Sequence, residues 1–170
     1  SSAFKFAAII PARSGSKSIK DKNLALLGGH PLIAYSIALA KMTEGIDKVI
    51  VSTDSKEYAE IAEKYGAEVP FLRPKQLSQD SSTDYDFMSH AVKWFDDNSS
   101  AVPDFWIHLR PTTPLRDPNI VKEAMSLIVN RKDATALRSG HLSPESPFKW
   151  LRKNKEGFLT SLSGDDTNLD

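Results

Sequence analysis

Two features of the sequence predict an α/β domain built on a mainly parallel sheet. Short runs rich in β-branched residues alternate with stretches of helical period, the pattern of successive βαβ units. The chain has 170 residues, enough for one domain of this class to bury about 70% of its unfolded surface without disulfide or metal staples.

The first strand is predicted over residues 4–10, where Phe4 and the run Phe6 to Ile10 read as a buried strand. Further strands are predicted at 48–52, 68–71, 105–109 and 134–137. The intervening helices are predicted at 31–42, with Pro31 at the start, and at 55–65, ended by Gly66. A third, over 84–96, repeats apolar residues at Tyr85, Met88, Ala91, Val92 and Phe95, and a fourth, over 118–130, follows Asp117 as its N-cap. Their apolar stripes are core. After Ser139 the pattern changes: GHLSPESP is turn-rich, and FKWLRK and FLTSL flank Asn154 to Gly157 as a hairpin that leaves the main sheet. The chain stops at the polar SGDDTNLD without a closing strand or helix, so the sequence is expected to be C-terminally incomplete.

Lys plus Arg (22) balance Asp plus Glu (22), so no basic field favours nucleic acid and any anion site must be local. The apolar runs fall short of the roughly 18 residues that a membrane helix needs. A five-residue apolar run before Pro11 is too short for a signal-peptide core of about seven residues or more, and a cytoplasmic protein is expected. With no Cys, thiol catalysis, Cys-ligated zinc and Fe–S clusters are excluded.

The stretch PARSGSKSIKDKN, residues 11–23, carries the most chemistry. It follows a buried strand, where open α/β sheets bind their ligands, and Gly15 among Ser14, Ser16 and Ser18 allows backbone N–H groups to approach an anion. Arg13, Lys17, Lys20 and Lys22 add charge; Arg13 can fork two oxygens, while each lysine acts as a point charge. The stretch is neither a GxxxxGKS/T loop nor a GxGxxG turn. From composition alone a solvated surface turn explains it equally well.

Read together, AIIPARSGSKSIKDKN, HPLIAYSI (30–37), DKVIVSTD (47–54), YGAEVPFLRP (65–74) and LRPTTPLRDP (109–118) resemble, in order and spacing, the acylneuraminate cytidylyltransferases, or CMP-sialic acid synthetases. The resemblance implies a Rossmann-like nucleotidyltransferase fold with a protruding hairpin or dimerisation segment. It divides the chain into a nucleotide-binding α/β core at 1–139 and, at 140–170, the start of a segment for dimerisation and the sugar site. It implies transfer of CMP from CTP to the anomeric hydroxyl of an acidic nine-carbon sugar, release of pyrophosphate, Mg2+ or another divalent cation, and a homodimer. By resemblance, Arg13, Ser16, Lys17, Lys22 and Asn23 match the phosphate loop, with Arg13 and Lys22 neutralising charge on the leaving group. Arg73, Ser82 and Thr83 match the cytidine region; without the resemblance, Arg73 reads as a surface arginine near a strand end. Arg110, Thr112, Thr113 and Lys149 match the sugar site, although ordinary turn chemistry explains RPTTPLR equally well.

The chain departs from the family in two places. Arg110 stands where the family pattern Gln-Pro-Thr-Ser-Pro-Leu-Arg has glutamine, so a nonulosonic acid other than N-acetylneuraminic acid is an equal candidate. The family's metal-binding aspartates lie in a motif beyond Asp170; Asp165 and Asp166 read as a solvated turn, Asp54 as a helix N-terminal residue and Asp117 as a cap. No metal-ligand cluster is legible: His30, His90, His108 and His141 are scattered, and His108 reads as a core residue of a strand. Two alternatives stand beside the enzyme: a non-catalytic nucleotide- or anion-binding module, and a cytidylyltransferase for another sugar acid.

Overall fold

A computed structural model describes residues 4–15, 21–98, 101–139 and 151–161, with no side-chain placement for 151–153 and 160–161. The elements run, in order, β1 (Phe6–Pro11), a 3-10 turn (Lys22–Leu24), β2 (Leu26–Leu27), β3 (His30–Pro31), α1 (Leu32–Met42), β4 (Ile46–Ser52), α2 (Lys56–Lys64), a second 3-10 turn (Lys75–Leu77), α3 (Asp84–Asn98), β5 (Phe105–His108), α4 (Pro118–Asn130), β6 (Leu151–Lys153) and β7 (Leu159–Ser161). They divide into two compact units, Ser1–Lys132 and Asp133–Asp170.

In the first unit β1 is central and parallel to both neighbours, in the order β4-β1-β5. Phe6 to Ile10 are all buried, as the middle strand of a sheet covered on both faces requires. Side chains alternate across the sheet. Ala8 and Ile10 join Ile33 and Ile37 of α1 and Tyr58 and Ala62 of α2, whereas Ala7 and Ile9 join Phe87, Ala91 and Phe95 of α3. The sheet therefore separates α1 and α2 from α3, and all three strands end at the same edge.

Helix ends follow local chemistry. Ser55 Oγ accepts from Tyr58 N at the start of α2. Asp117 caps α4 by accepting from Asn119 N at 2.8 Å, ahead of Pro118. Replacing Asp117 by alanine is expected to cost about 1 kcal/mol in urea unfolding; an unchanged midpoint would remove the cap from the account.

Two predicted strands do not form. Residues 68–71 meet β4 only through one parallel bridge, Ile50 to Glu68. Pro70 has no N–H to extend that ladder, so the chain leaves the sheet after Glu68. Residues 134–137 are not a strand; two of their four positions are alanine, which has weak strand preference. The first strand begins at Phe6 rather than Phe4 and the second at Ile46 rather than Lys48. The β2–β3 hairpin was not foreseen. Its turn residues Gly28 and Gly29 both have positive φ, 56° and 85°, the backbone that a two-residue hairpin loop selects glycine for.

In the second unit β6 and β7 pair antiparallel across the predicted turn. Asn154 Oδ1 accepts from Phe158 N at 2.9 Å, and Gly157 N donates to Asn154 O at 3.1 Å.

Candidate active site

The loop leaving β1 is held from two sides. Ser14 donates through its N–H (2.7 Å) and its hydroxyl (2.8 Å) to the carboxylate of Asp54, at the end of β4. Asp54 is thus the anchor of the loop and not the expected helix N-terminal residue; Ser55 takes the cap. Gly15, at φ 72°, stands clear of any neighbour a Cβ would meet, so its role is the backbone conformation. Ser16, Lys17, Ser18 and Lys20 lie outside the described residues. The chain returns at Asp21, a non-glycine residue at φ 51°. Its carboxylate accepts a 2.7 Å bond from the hydroxyl of Tyr58, which is buried in α2. Burial and Asp21 together push the Tyr58 hydroxyl up, so it stays protonated as a donor. Asn23, also buried, donates to Arg13 O at 3.2 Å and so ties the two limbs of the loop. Lys22 lines the same cavity as Arg13.

These residues form one wall of an open cavity of about 180 Å³ at the carboxyl edge of the sheet. Arg13, Lys22, Asn23, Arg73, Ser82, Thr83, Arg110 and Thr112 all line it, with Asp84 and Phe87 added by α3. Three chain segments far apart in sequence thus bring the predicted phosphate, base and sugar residues to one place. Thr113 is not in the lining; its N–H donates to Arg110 O. Lys149, Asp165 and Asp166 lie outside the described residues.

Arg73 is the largest departure from its reading as a surface residue, with only 5% of its surface exposed. Its Nη2 donates to Ser52 O at 2.8 Å and its Nη1 to Leu77 O at 3.4 Å, while Nε has no partner among the described residues. The guanidinium lies 5.4 Å from the Phe87 ring centre. Burial pulls its pKa down to about 10, leaving it charged at neutral pH. A buried cation hydrogen-bonded to carbonyls, and offset only in part by the nearby charge of Asp54, carries a desolvation cost that a polar ligand in the cavity can offset.

Two hydroxyls expected to face ligand are already engaged. Thr83 donates its hydroxyl and its N–H to Asp86, and Asp86 N donates back to Thr83 Oγ1, so Thr83 begins α3 in a reciprocal cap. Ser82 Oγ accepts from Gln79 N at 3.0 Å. Arg110 O is pinned by Ser36 Oγ, Thr113 N and Arg116 Nη2. The Arg110 side chain pairs with Asp84, whose same oxygen lies 3.7 Å from His108 Nδ1. His108 therefore stands beside the site, edge-on to Phe87, rather than inside the core.

A second, more open cavity of about 630 Å³ continues from Arg13 past Ser14, Gly15, Asp54 and Lys75 to Gln79, Asp80 and Ser81. Arg13 bridges to Asp80 here at 2.9 Å. Asp80, Asp84, Phe87 and Lys75 were not singled out from the sequence; for Lys75 the cue was its place beside Arg73 and Pro74. Among the described residues no three His, Cys, Asp or Glu side chains come together as a metal site. The one carboxylate lining the first cavity, Asp84, is taken by Arg110. These residues do not fit a protein-built divalent-cation centre.

Residues 7–149 match the Cytidylyltransferase family. The N-acylneuraminate cytidylyltransferase of Escherichia coli O18:K1:H7 (strain RS218 / NMEC) is 44% identical over 123 residues, covering 72% of this chain and 28% of that protein. The CMP-N,N'-diacetyllegionaminic acid synthase of Legionella pneumophila is 38% identical over 71% of this chain and 51% of that protein. The pseudaminic acid cytidylyltransferase of Campylobacter jejuni (strain 81-176) is 38% identical over 73% of this chain and 53% of that protein. The chain thus spans about half the length of these relatives, or less. Among solved structures, CMP:2-keto-3-deoxy-manno-octonic acid synthetase complexed with CTP superposes with a TM-score of 0.61 at 24% identity, over 78% of this chain and 49% of that one. A cytidylyltransferase from Leptospira borgpetersenii gives 0.59 at 23% identity, over 76% and 51%. Identities this low speak for the fold, and that fold is the expected nucleotidyltransferase one. With its first strand, anchored loop and cavity all inside the matched span, the chain belongs to the cytidylyltransferase family.

Proposed function

We propose that this chain binds CTP in the cavity beyond β1 and, in the whole protein, transfers CMP to the anomeric hydroxyl of a sialic-acid-like nonulosonic acid. The observation that carries the reading is the convergence of Arg13, Lys22, Arg73 and Arg110 on one cavity of a chain without net charge. Relatives named for sialic, legionaminic and pseudaminic acids support the substrate class. The acceptor oxygen bonds to the α-phosphorus and loses its proton, the bond from that phosphorus to the β-phosphate oxygen breaks, and pyrophosphate leaves. No protein nucleophile is needed. The protein's task is to position the two substrates and to neutralise charge growing on the leaving pyrophosphate, which we assign to Arg13 and Lys22. Ser16 and Lys17 join the phosphate loop in this reading, and Asn23 holds it closed.

Arg73, with Ser82 and Thr83, forms the base side, and Arg110, Thr112, Thr113 and Lys149 the sugar side, Thr113 acting by holding the Arg110 loop. Magnesium, carried in with the nucleotide, belongs to the proposal through family resemblance only. So do a homodimer using residues 140–170 and a cytoplasmic location, where CTP is available. No helix of the described residues is long and apolar enough to cross a membrane.

Pyrophosphate release from CTP in the presence of a panel of nonulosonic acids tests the activity. Release with at least one acid supports the enzyme; CTP binding without turnover by the full-length protein supports the non-catalytic alternative. Asp80 offers a second check. Because it pairs with Arg13, Asp80→Asn is expected to tighten CTP binding about two- to fivefold, the range of a partly exposed ion pair. Weaker binding in calorimetry would show instead that Asp80 aims Arg13 at the nucleotide.

A further inference from the structure

Arg110 has a fixed backbone and a side chain with one visible constraint. Its carbonyl accepts from Ser36, Thr113 and Arg116, so the loop cannot carry it away. Its side chain, however, is 54% exposed, and a long exposed side chain would ordinarily sample many rotamers. Asp84, the first residue of α3, takes Nη2 of that guanidinium, and both residues line the cavity. Asp84 is itself placed by the rigid start of α3, where Thr83 and Asp86 close a reciprocal cap. Phe87, one turn on, is buried and packs against His108, whose Nδ1 faces the same Asp84 oxygen.

We infer that Asp84 is a positioning residue: it holds Arg110 with its free donors facing the acceptor side of the cavity, where they receive the carboxylate of an acidic sugar. The inference rests on the proposed function and deepens it, because it makes the acceptor's negative charge, rather than its hydroxyl pattern alone, a selected feature. A guanidinium presents planar paired donors that match a carboxylate, and one already oriented loses less freedom on binding. Asp84 also lowers the local positive potential, which by itself would repel an anionic acceptor. Orientation and repulsion therefore predict opposite effects of removing its charge.

The test uses the full-length protein with CTP, measuring pyrophosphate release with a nonulosonic acid and with its neutral carboxamide. Asp84→Asn is expected to raise KM for the acid about five- to tenfold, leave kcat and calorimetric CTP affinity within about twofold, and reduce the preference for acid over carboxamide. Arg110→Gln is expected to abolish that preference, and adding Asp84→Asn to it is expected to change nothing further. A lowered KM for the acid would make Asp84 a repelling counter-ion and overturn the inference. So would weakened CTP binding with a lower melting temperature in Asp84→Asn, or additive effects in the double variant. Absence of pyrophosphate release by the wild-type protein with every acid would instead overturn the proposed function, and the inference with it.

Discussion

Arg73→Met is expected to weaken CTP binding about 100-fold, near 2.7 kcal/mol, while leaving the unfolding midpoint almost unchanged. Two opposing terms set the stability side. Methionine removes the 2.8 Å bond to the Ser52 carbonyl, which keeps its 2.9 Å bond from Ala12 N, so the loss is that of one hydrogen bond to a charged donor, about 1.5–3 kcal/mol. It also removes a cation that burial penalises and that no bridging carboxylate neutralises among the described residues, a gain of similar size. A similar-sized side chain keeps the contact with Phe87. The binding side has no such compensation, because the guanidinium is the buried polar group on the wall of the cavity away from the loop. Calorimetry and thermal unfolding of the same sample separate the two. If stability collapses along with binding, Arg73 is a structural strut; if CTP binds as before, it is not part of the nucleotide site.

The second large effect is expected at the phosphate loop. Arg13→Ala and Lys22→Ala should each lower kcat/KM for pyrophosphate release by about 100- to 1,000-fold, the usual loss when one preorganised electrostatic contact to a transition state is removed. Neither change should unfold the protein. The Arg13 side chain is partly exposed in its bridge to Asp80, and the bond that Asn23 makes to position 13 goes to the backbone carbonyl, which alanine retains. Full activity in either variant would remove that residue from the catalytic assignment.

The sequence made the skeleton readable where the chemistry is local. Periodicity and caps placed α4 at its observed bounds, and the FAAII run before Pro11 marked the central strand because a strand covered on both faces must be apolar throughout. The loop after it was legible for the same reason: small residues and cations at a strand end are an economical way to meet an anion. What the sequence hid depends on distant contacts. Nothing near Arg73 says that it is buried, since its burial comes from the ends of β4 and α3 closing over it. Asp54 and Asp117 look alike, each near a helix start, yet one caps and the other holds Ser14 across forty residues. Residues 68–71 have strand composition, but Pro70 breaks the ladder that would have made them one. Asp84 reads as an ordinary first-turn carboxylate until the fold sets Arg110 and His108 against it.

The central claim is that the cavity beyond β1 is a CTP site, and calorimetric titration with CTP, UTP, GTP and ATP in magnesium-containing buffer tests it most directly. The account predicts saturable binding of CTP with at least tenfold preference over the other three, lost in Arg73→Met and weakened in Lys22→Ala. Equal binding of all four nucleotides, or binding of none by the full-length protein, would contradict it.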